Sequence, residues 1–282
     1  MVVAGVRIYP VKSLGGFDVP TAEVEPWGLR HDRRWVVLDP DGTVLTAREE
    51  HSMLSVTALA LADGAIELHR DGGALRVEPP VGGEPIPLSI SRLESVRRAG
   101  ADADAWLSEH LRRPVRLGWL DDPRHRTVSE THGGLPGDSL NLSDAGPLLL
   151  TSDASLAQLN DWIAEEAVER GAEPAGPLPM IRFRPSVVVA GCDEPFAEDE
   201  WRELSIGEVP FRFGEHCDRC VLTTIDPQSL VAGKEPLRTL ARHRRFDGKT
   251  WFGVRLVPRA TGTISVGDDV RLTQSLPLRS RT

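Results

Sequence analysis

Apolar residues in the first hundred positions come as short runs and alternations broken by Gly-containing pairs, the pattern of strands joined by tight turns. Trp35 to Leu38 and Thr43 to Thr46 flank Pro40-Asp41-Gly42, while Leu59 to Leu61 and Ile66 to Leu68 flank Asp63-Gly64; Asp-Gly between such runs predicts hairpins. Leu75 and Val77 continue the meander beyond Asp71-Gly72-Gly73. The period then changes. Trp106, Leu107, His110 and Leu111 share one helical face between Ala103 and Arg112, and Pro114 ends the pattern. Asp121 to Asn141 is rich in Asp, Pro, Gly, His and Ser without apolar periodicity, so it reads as a loop near a domain boundary. We draw that boundary between residues 1–120 and 121–276.

The clearest helix starts at Asp153 or Ser155. Leu156, Leu159, Ile163 and Ala167 recur at helical spacing, Ser155 and Gln158 suit a capping box, and Gly171 falls where the helix should end. Strands return at Ser186 to Ala190 and Val209 to Phe213. Pro236 opens a short basic helix through Leu237 and Leu240 to His243, and Phe252 to Val257 and Thr263 to Leu272 close the chain in β. This order, with hairpin connections, predicts an α+β, β-rich chain dominated by barrels with a few helices. No Gly-rich loop follows a strand in dinucleotide-binding fashion.

Composition narrows the function. The 33 Lys and Arg against 42 Asp and Glu give a net charge of −9 over 282 residues, which argues against a nucleic-acid surface and against attraction to anionic lipid. Any anionic ligand must therefore meet a local basic cluster. Three cysteines are an odd number in so long a chain, which disfavours a disulfide framework and favours a reducing compartment. The N-terminus lacks the basic and apolar regions of a signal peptide, and no stretch approaches the ~20 apolar residues of a membrane span. The expectation is a cytoplasmic protein.

Several segments carry chemistry. Cys217-Asp218-Arg219-Cys220 precedes Thr223 and Thr224, and a cation beside a thiol favours the ionised form that binds soft metals. A buried structural pair, a zinc site, and a catalytic or other metal thiolate all fit this spacing. Lys12 and Ser13, followed by Gly15-Gly16, suit a phosphate; without context an ordinary turn with a solvated Lys is the commoner reading. Arg30 to Arg34 precedes the first hairpin and Arg48 ends it, so either a surface ion-pair face or a fork onto phosphate is available there. Arg184, at the entrance to the apolar strand Val187 to Ala190, requires an anionic partner. Asp144 is either a turn-forming residue or a proton donor in a pocket.

Together these segments resemble the MOSC family, in which an N-terminal MOSC-associated β-barrel domain packs on a MOSC domain that binds the molybdenum cofactor. The likeness rests on Ile8-Tyr9-Pro10-Val11-Lys12-Ser13, Asp32-Arg33-Arg34-Trp35, Thr46-Ala47-Arg48, Phe183-Arg184-Pro185, Arg219-Cys220 with Val221 to Pro227, and Val266-Gly267-Asp268-Asp269-Val270. Among its members the chain is similar to amidoxime-reducing components and YcbX-like proteins. The resemblance implies that Cys220 is the molybdenum ligand and Cys217 and Cys192 are not. It implies that Lys12, Ser13, Arg33 and Arg184 hold the pterin and its phosphate, with Arg48 and Arg219 as further cofactor contacts. Asp144 matches an acidic position near the metal and is the candidate proton relay. The implied cofactor is Mo-molybdopterin, and the implied reaction is two-electron reduction of amidoximes, hydroxylamines and N-hydroxy bases, with water as co-product. Electrons are expected from a separate ferredoxin, flavoprotein or cytochrome b5-like protein. A cofactor or sulfur carrier without turnover, and a noncatalytic β-barrel binding module, are the alternatives. Ala145 and Gly146 depart from the small hydroxyl residues common in the family, as Arg182 and Ser186 depart from Asn.

Overall fold

The structure, a computed structural model, describes residues 1–173 and 176–276. Among these residues strands predominate, with three α-helices: α1 (Ala101–Leu111), α2 (Asp153–Glu169) and α3 (Leu237–His243). The fold is α+β and β-rich, as the sequence pattern indicates. No helix among the described residues is long and apolar enough to cross a membrane.

The largest sheet has nine strands. Its order runs from Val270–Ser275 through Trp201–Ile206, Val209–Asp218, Lys249–Pro258, Leu148–Ser152, Val187–Ala190 and Val2–Ile8 to Phe17–Val19, with Arg245–Phe246 added on Lys249–Pro258. Leu148–Ser152 and Val187–Ala190 pair in parallel, and α2 lies on the connection between them, since parallel neighbours require a crossover. The first strand of the chain is thus laid beside Val187–Ala190, Val2 opposite Ala190 and Val6 opposite Val187. Thr21–Glu25 likewise pairs with Gly262–Ser265. Val3, Val6 and Ile8 are buried in one core with Leu150, Val189, Phe211, Val254 and Leu256. A second core gathers Trp35, Val37, Met53, Ile66, Leu68, Leu107 and Leu117 from the first half.

Three local expectations are corrected. Thr43 to Thr46 forms only a single bridge, Leu38 to Val44, because Trp35–Leu38 pairs instead with Arg116–Trp119. Thr263 to Leu272 is two strands, Gly262–Ser265 and Val270–Ser275, separated by a turn at Gly267 with φ 93°. The cap of α2 is Ser152 rather than Ser155: its Oγ accepts from Ser155 N at 3.1 Å. Ser155 sits buried in the first turn, where its hydroxyl donates to Glu198 at 2.8 Å and accepts from Phe196 N at 2.7 Å.

Glu198 itself is fully buried. Burial, with the charge of neighbouring Asp199 adding to it, pushes its carboxyl from the usual 4.5 up to about 7. A carboxyl whose folded value is raised stabilises the fold below its unfolded value and stops doing so as pH rises through the folded one, here between about 4.5 and 7. The shift corresponds to about 3 kcal/mol. Denaturation midpoints measured from pH 4.5 to 8 are expected to show wild type losing stability relative to Glu198→Gln by that amount; parallel profiles for the two proteins would exclude it.

Candidate functional site

The candidate residues come from widely separated turns, and the fold brings them to one cleft. Lys12 and Ser13 follow the strand Val2–Ile8, Arg33 precedes Trp35–Leu38, and Asp144 lies before Leu148–Ser152. Arg184 ends a 3₁₀ turn, Met180–Phe183, and Cys220 begins another, Val221–Thr224. With Arg48 and Arg219 they line a single cavity. Ser13, Arg33 and Arg184 all hold left-handed backbone, with φ of 70°, 48° and 55°. Such conformations cost a non-glycine residue of order 1 to 3 kcal/mol and collect at functional sites.

Six cations, Lys12, Arg33, Arg48, Arg184, Arg219 and Arg255, line the cavity against two carboxylates, Asp144 and Asp218. This is the local basic cluster that an acidic chain needs in order to hold an anion. Lys12 is buried; its Nζ donates to Leu142 O at 3.0 Å and pairs with Asp144. Burial lowers its pKa, and Asp144 opposes that drop. Asp144 also accepts from Arg48, whose Nε donates to Cys220 Sγ at 3.3 Å. Although burial works against its charge, Lys12 and Arg48 together hold the Asp144 carboxyl well below the usual range.

Arg33 is half-buried and ion-paired to Asp32. Burial alone would lower its pKa, yet Asp32 carries it above the ordinary value. Among the described residues Arg184 has no such carboxylate. Its guanidinium lies 4.2 Å from the Tyr9 ring centre, and burial, with Arg33 nearby, lowers it to about 10. Its Nη2 is buried with no hydrogen-bond partner among the described residues. An unsatisfied buried guanidinium N–H beside a second guanidinium is the arrangement that a phosphate or other polyanion completes.

The two cysteines of the pair differ. Cys217 is buried and accepts from Arg219 Nη1 at 2.8 Å, whereas Cys220 is exposed to the cleft. Arg219 Nη2 donates to Phe183 O at 2.7 Å, which ties the Cys220 turn to the Arg184 turn. Among the described residues no three His, Cys, Asp or Glu side chains gather as metal ligands. A metal on Cys220 would therefore draw its other ligands from a cofactor rather than from the chain, which suits a dithiolene pterin and not a structural zinc centre. Cys192 lies outside the cleft lining, and burial pushes its thiol up to about 11.

Arg255 and Arg126 are not among the residues the sequence points to, and Gly146 stands there only as a departure from the family's hydroxyl residues. Arg255 pairs with Glu215 and, at 2.9 Å, with Asp218, forming one wall; it sits in a continuous apolar strand pattern that gives no sign of it. Gly146 packs on that Arg, for a Cβ there would meet Arg255 Cβ at 2.7 Å. A hydroxyl side chain at this position would collide with the wall. Buried Arg126 donates to Ser143 O at 2.8 Å and also to Asn141 O, and so shapes the loop that presents Asp144. Its only sequence signal is an Arg within a polar loop.

The family model for the MOSC domain matches residues 137–271, and that for the MOSC N-terminal beta barrel domain matches residues 1–114. Human "Mitochondrial amidoxime-reducing component 1" is 33% identical over 96% of this chain and 82% of its own length. "Molybdenum cofactor sulfurase" from Oryza sativa subsp. japonica is 31% identical over 88% of this chain, which spans 31% of that protein. Among solved structures, the YuaD protein from Bacillus subtilis aligns over 95% of this chain and 93% of its own at 11% identity, with a TM-score of 0.41.

Proposed function

The chain belongs to the MOSC family, and from that premise we propose that it is a molybdenum-cofactor-dependent reductase of N-hydroxylated compounds. The observation that carries the proposal is the single cleft in which one exposed thiol, Cys220, faces a cluster of cations that includes an unsatisfied Arg184. The name of the human relative, an amidoxime-reducing component, supports the choice of substrate.

In this reading Cys220 Sγ is the protein ligand to molybdenum. Lys12, Ser13, Arg33 and Arg184 hold the pterin and its phosphate, and Arg48 and Arg219 complete the cationic lining. When bound, the cofactor supplies two-electron oxygen-atom chemistry that breaks an N–O bond, with water as co-product. Arg48 donates to both Cys220 Sγ and Asp144, so it fixes the thiolate and the acid relative to each other. Asp144, kept ionised by Lys12 and Arg48, would accept a hydrogen bond from the substrate N–OH and orient it; of the two solvent protons that balance the two electrons, one goes to the nitrogen and one, relayed along the Asp144 carboxylate, joins the departing hydroxyl as water. Electrons come from a separate redox protein.

The test is elemental analysis of protein made in a cofactor-competent host, coupled to amidoxime reduction with an artificial electron donor. Stoichiometric molybdenum with turnover is expected. Protein that contains no molybdenum under these conditions would overturn the proposal. Loaded protein without turnover would favour a cofactor-handling role, to which the similarity with the sulfurase points.

A further inference from the structure

A second cavity, of about 340 Å³, adjoins the first and shares Asp144 and Ala145 with it. Such a volume lies at the small end of the range for small-molecule sites. Its walls come from the turn Ser91-Arg92, from residues 126–140 of the polar loop, and from Asp144 and Ala145. Two guanidiniums face it, Arg92 and Arg126.

Arg126 is 2% exposed; its Nε and Nη1 donate to the carbonyls of Ser91, Asn141 and Ser143, which leaves Nη2 without a partner among the described residues. Neither it nor Arg92 forms an ion pair with any of the described residues. The carboxylate in this lining, Asp144, is already engaged by Lys12 and Arg48. Burial lowers Arg126 to about 10, the sign of a charge short of compensation. Arg92 occupies left-handed backbone, φ 62°, in the turn between Pro85–Ile90 and Leu93–Arg98. A two-residue hairpin turn itself calls for left-handed backbone, and the position of this turn sets the Arg92 side chain at the cavity wall. Thr127, Ser129 and Thr131 add hydroxyl donors.

We infer that this cavity seats an anionic group of the substrate, so that the compounds reduced at Cys220 carry a carboxylate or phosphate that binds Arg92 and Arg126. The inference rests on the reductase reading above and adds the substrate class. A guanidinium pair of this kind recognises planar or tetrahedral oxyanions by charge-assisted hydrogen bonds.

The experiment uses cofactor-loaded protein with benzamidoxime, its para-carboxylate and its para-phosphonate. Wild type is expected to show kcat/KM at least about 10-fold higher for one of the anionic compounds than for the neutral one, and the better of the two identifies the oxyanion. Arg92→Ala touches nothing in the cofactor cleft, so it should lose that advantage and leave benzamidoxime unchanged. Calorimetric Kd values for the three compounds should follow the same order and weaken with salt. Equal kcat/KM across the three, or an Arg92→Ala effect equal on all, would overturn the inference and leave the reductase reading standing. Should none be turned over by molybdenum-loaded protein, the reductase reading falls; calorimetric preference for an anion, lost in Arg92→Ala, then upholds the anion site, and its absence removes it.

Discussion

Cys220→Ala is expected to abolish reduction of N-hydroxylated substrates, by on the order of 10³-fold, while leaving the fold intact. The thiol is exposed, and among the described residues its only side-chain hydrogen bond comes from Arg48 at 3.3 Å. A substitution that opens no core cavity and strands no buried charge changes stability by about 0.5 kcal/mol or less. Circular dichroism and the melting temperature should therefore match wild type. Neither of the other cysteines is placed to replace the lost ligand. Cys217 is buried and holds Arg219, and Cys192 is outside the cleft with a thiol pushed up to about 11 by burial. Cys217→Ser keeps an acceptor for Arg219 and is expected to retain turnover. A folded, cofactor-loaded Cys220→Ala protein with the wild-type rate would remove the central assignment, as would the reverse ranking of the two variants.

What the sequence made legible was local. The meander between Thr57 and Val77 follows from alternation and Asp-Gly turns, and α2 follows from a 3.6-residue period that any alternative structure would have exposed. Trp35–Leu38 was legible as a strand, but its partner was not. Arg116–Trp119 lies far along the chain, and no turn residue announces a long-range pairing. The same is true of Val2–Ile8, whose place beside Val187–Ala190 brings Lys12 and Ser13 to Cys220. The candidate site was named largely through family likeness, since Lys12 or Arg33 alone reads as surface charge and Arg184 calls for an anion without saying whether a carboxylate or a ligand supplies it. Left-handed backbone at Ser13, Arg33 and Arg184 could not be foreseen, because residue type disfavours it and only tertiary contacts impose it. Arg126 and Arg255, which the sequence does not flag, and the packing of Gly146 on Arg255 act through contacts with neighbours, which a linear pattern does not encode.

Asp32→Ala should be the most damaging single change to the frame of the site, with a loss of about 3 to 5 kcal/mol. Asp32 is fully buried and holds three partners: Tyr9 N at 2.8 Å, the guanidinium of Arg33, and Asn141 Nδ2 at 3.3 Å. Removing it leaves Arg33 without the carboxylate that sustains its charge against burial. Tyr9 N loses its acceptor as well, a group whose desolvation alone costs about 1 to 3 kcal/mol. The damage reaches the cleft along two routes. Arg33 donates to Arg184 O at 3.3 Å and would no longer be fixed. Asn141, which accepts from Ser143 N at 2.8 Å, would lose one of its two anchors on Asp32 and loosen the loop that carries Asp144. Asp32→Asn keeps an oxygen for Tyr9 N and removes only the charge, so its loss should be smaller. Urea denaturation of both variants gives the ranking, and molybdenum content after expression in a cofactor-competent host reports on the cleft. If Asp32→Ala unfolds at the wild-type midpoint with full molybdenum content, Asp32 does not join the two segments, and Arg33 must find its anion elsewhere.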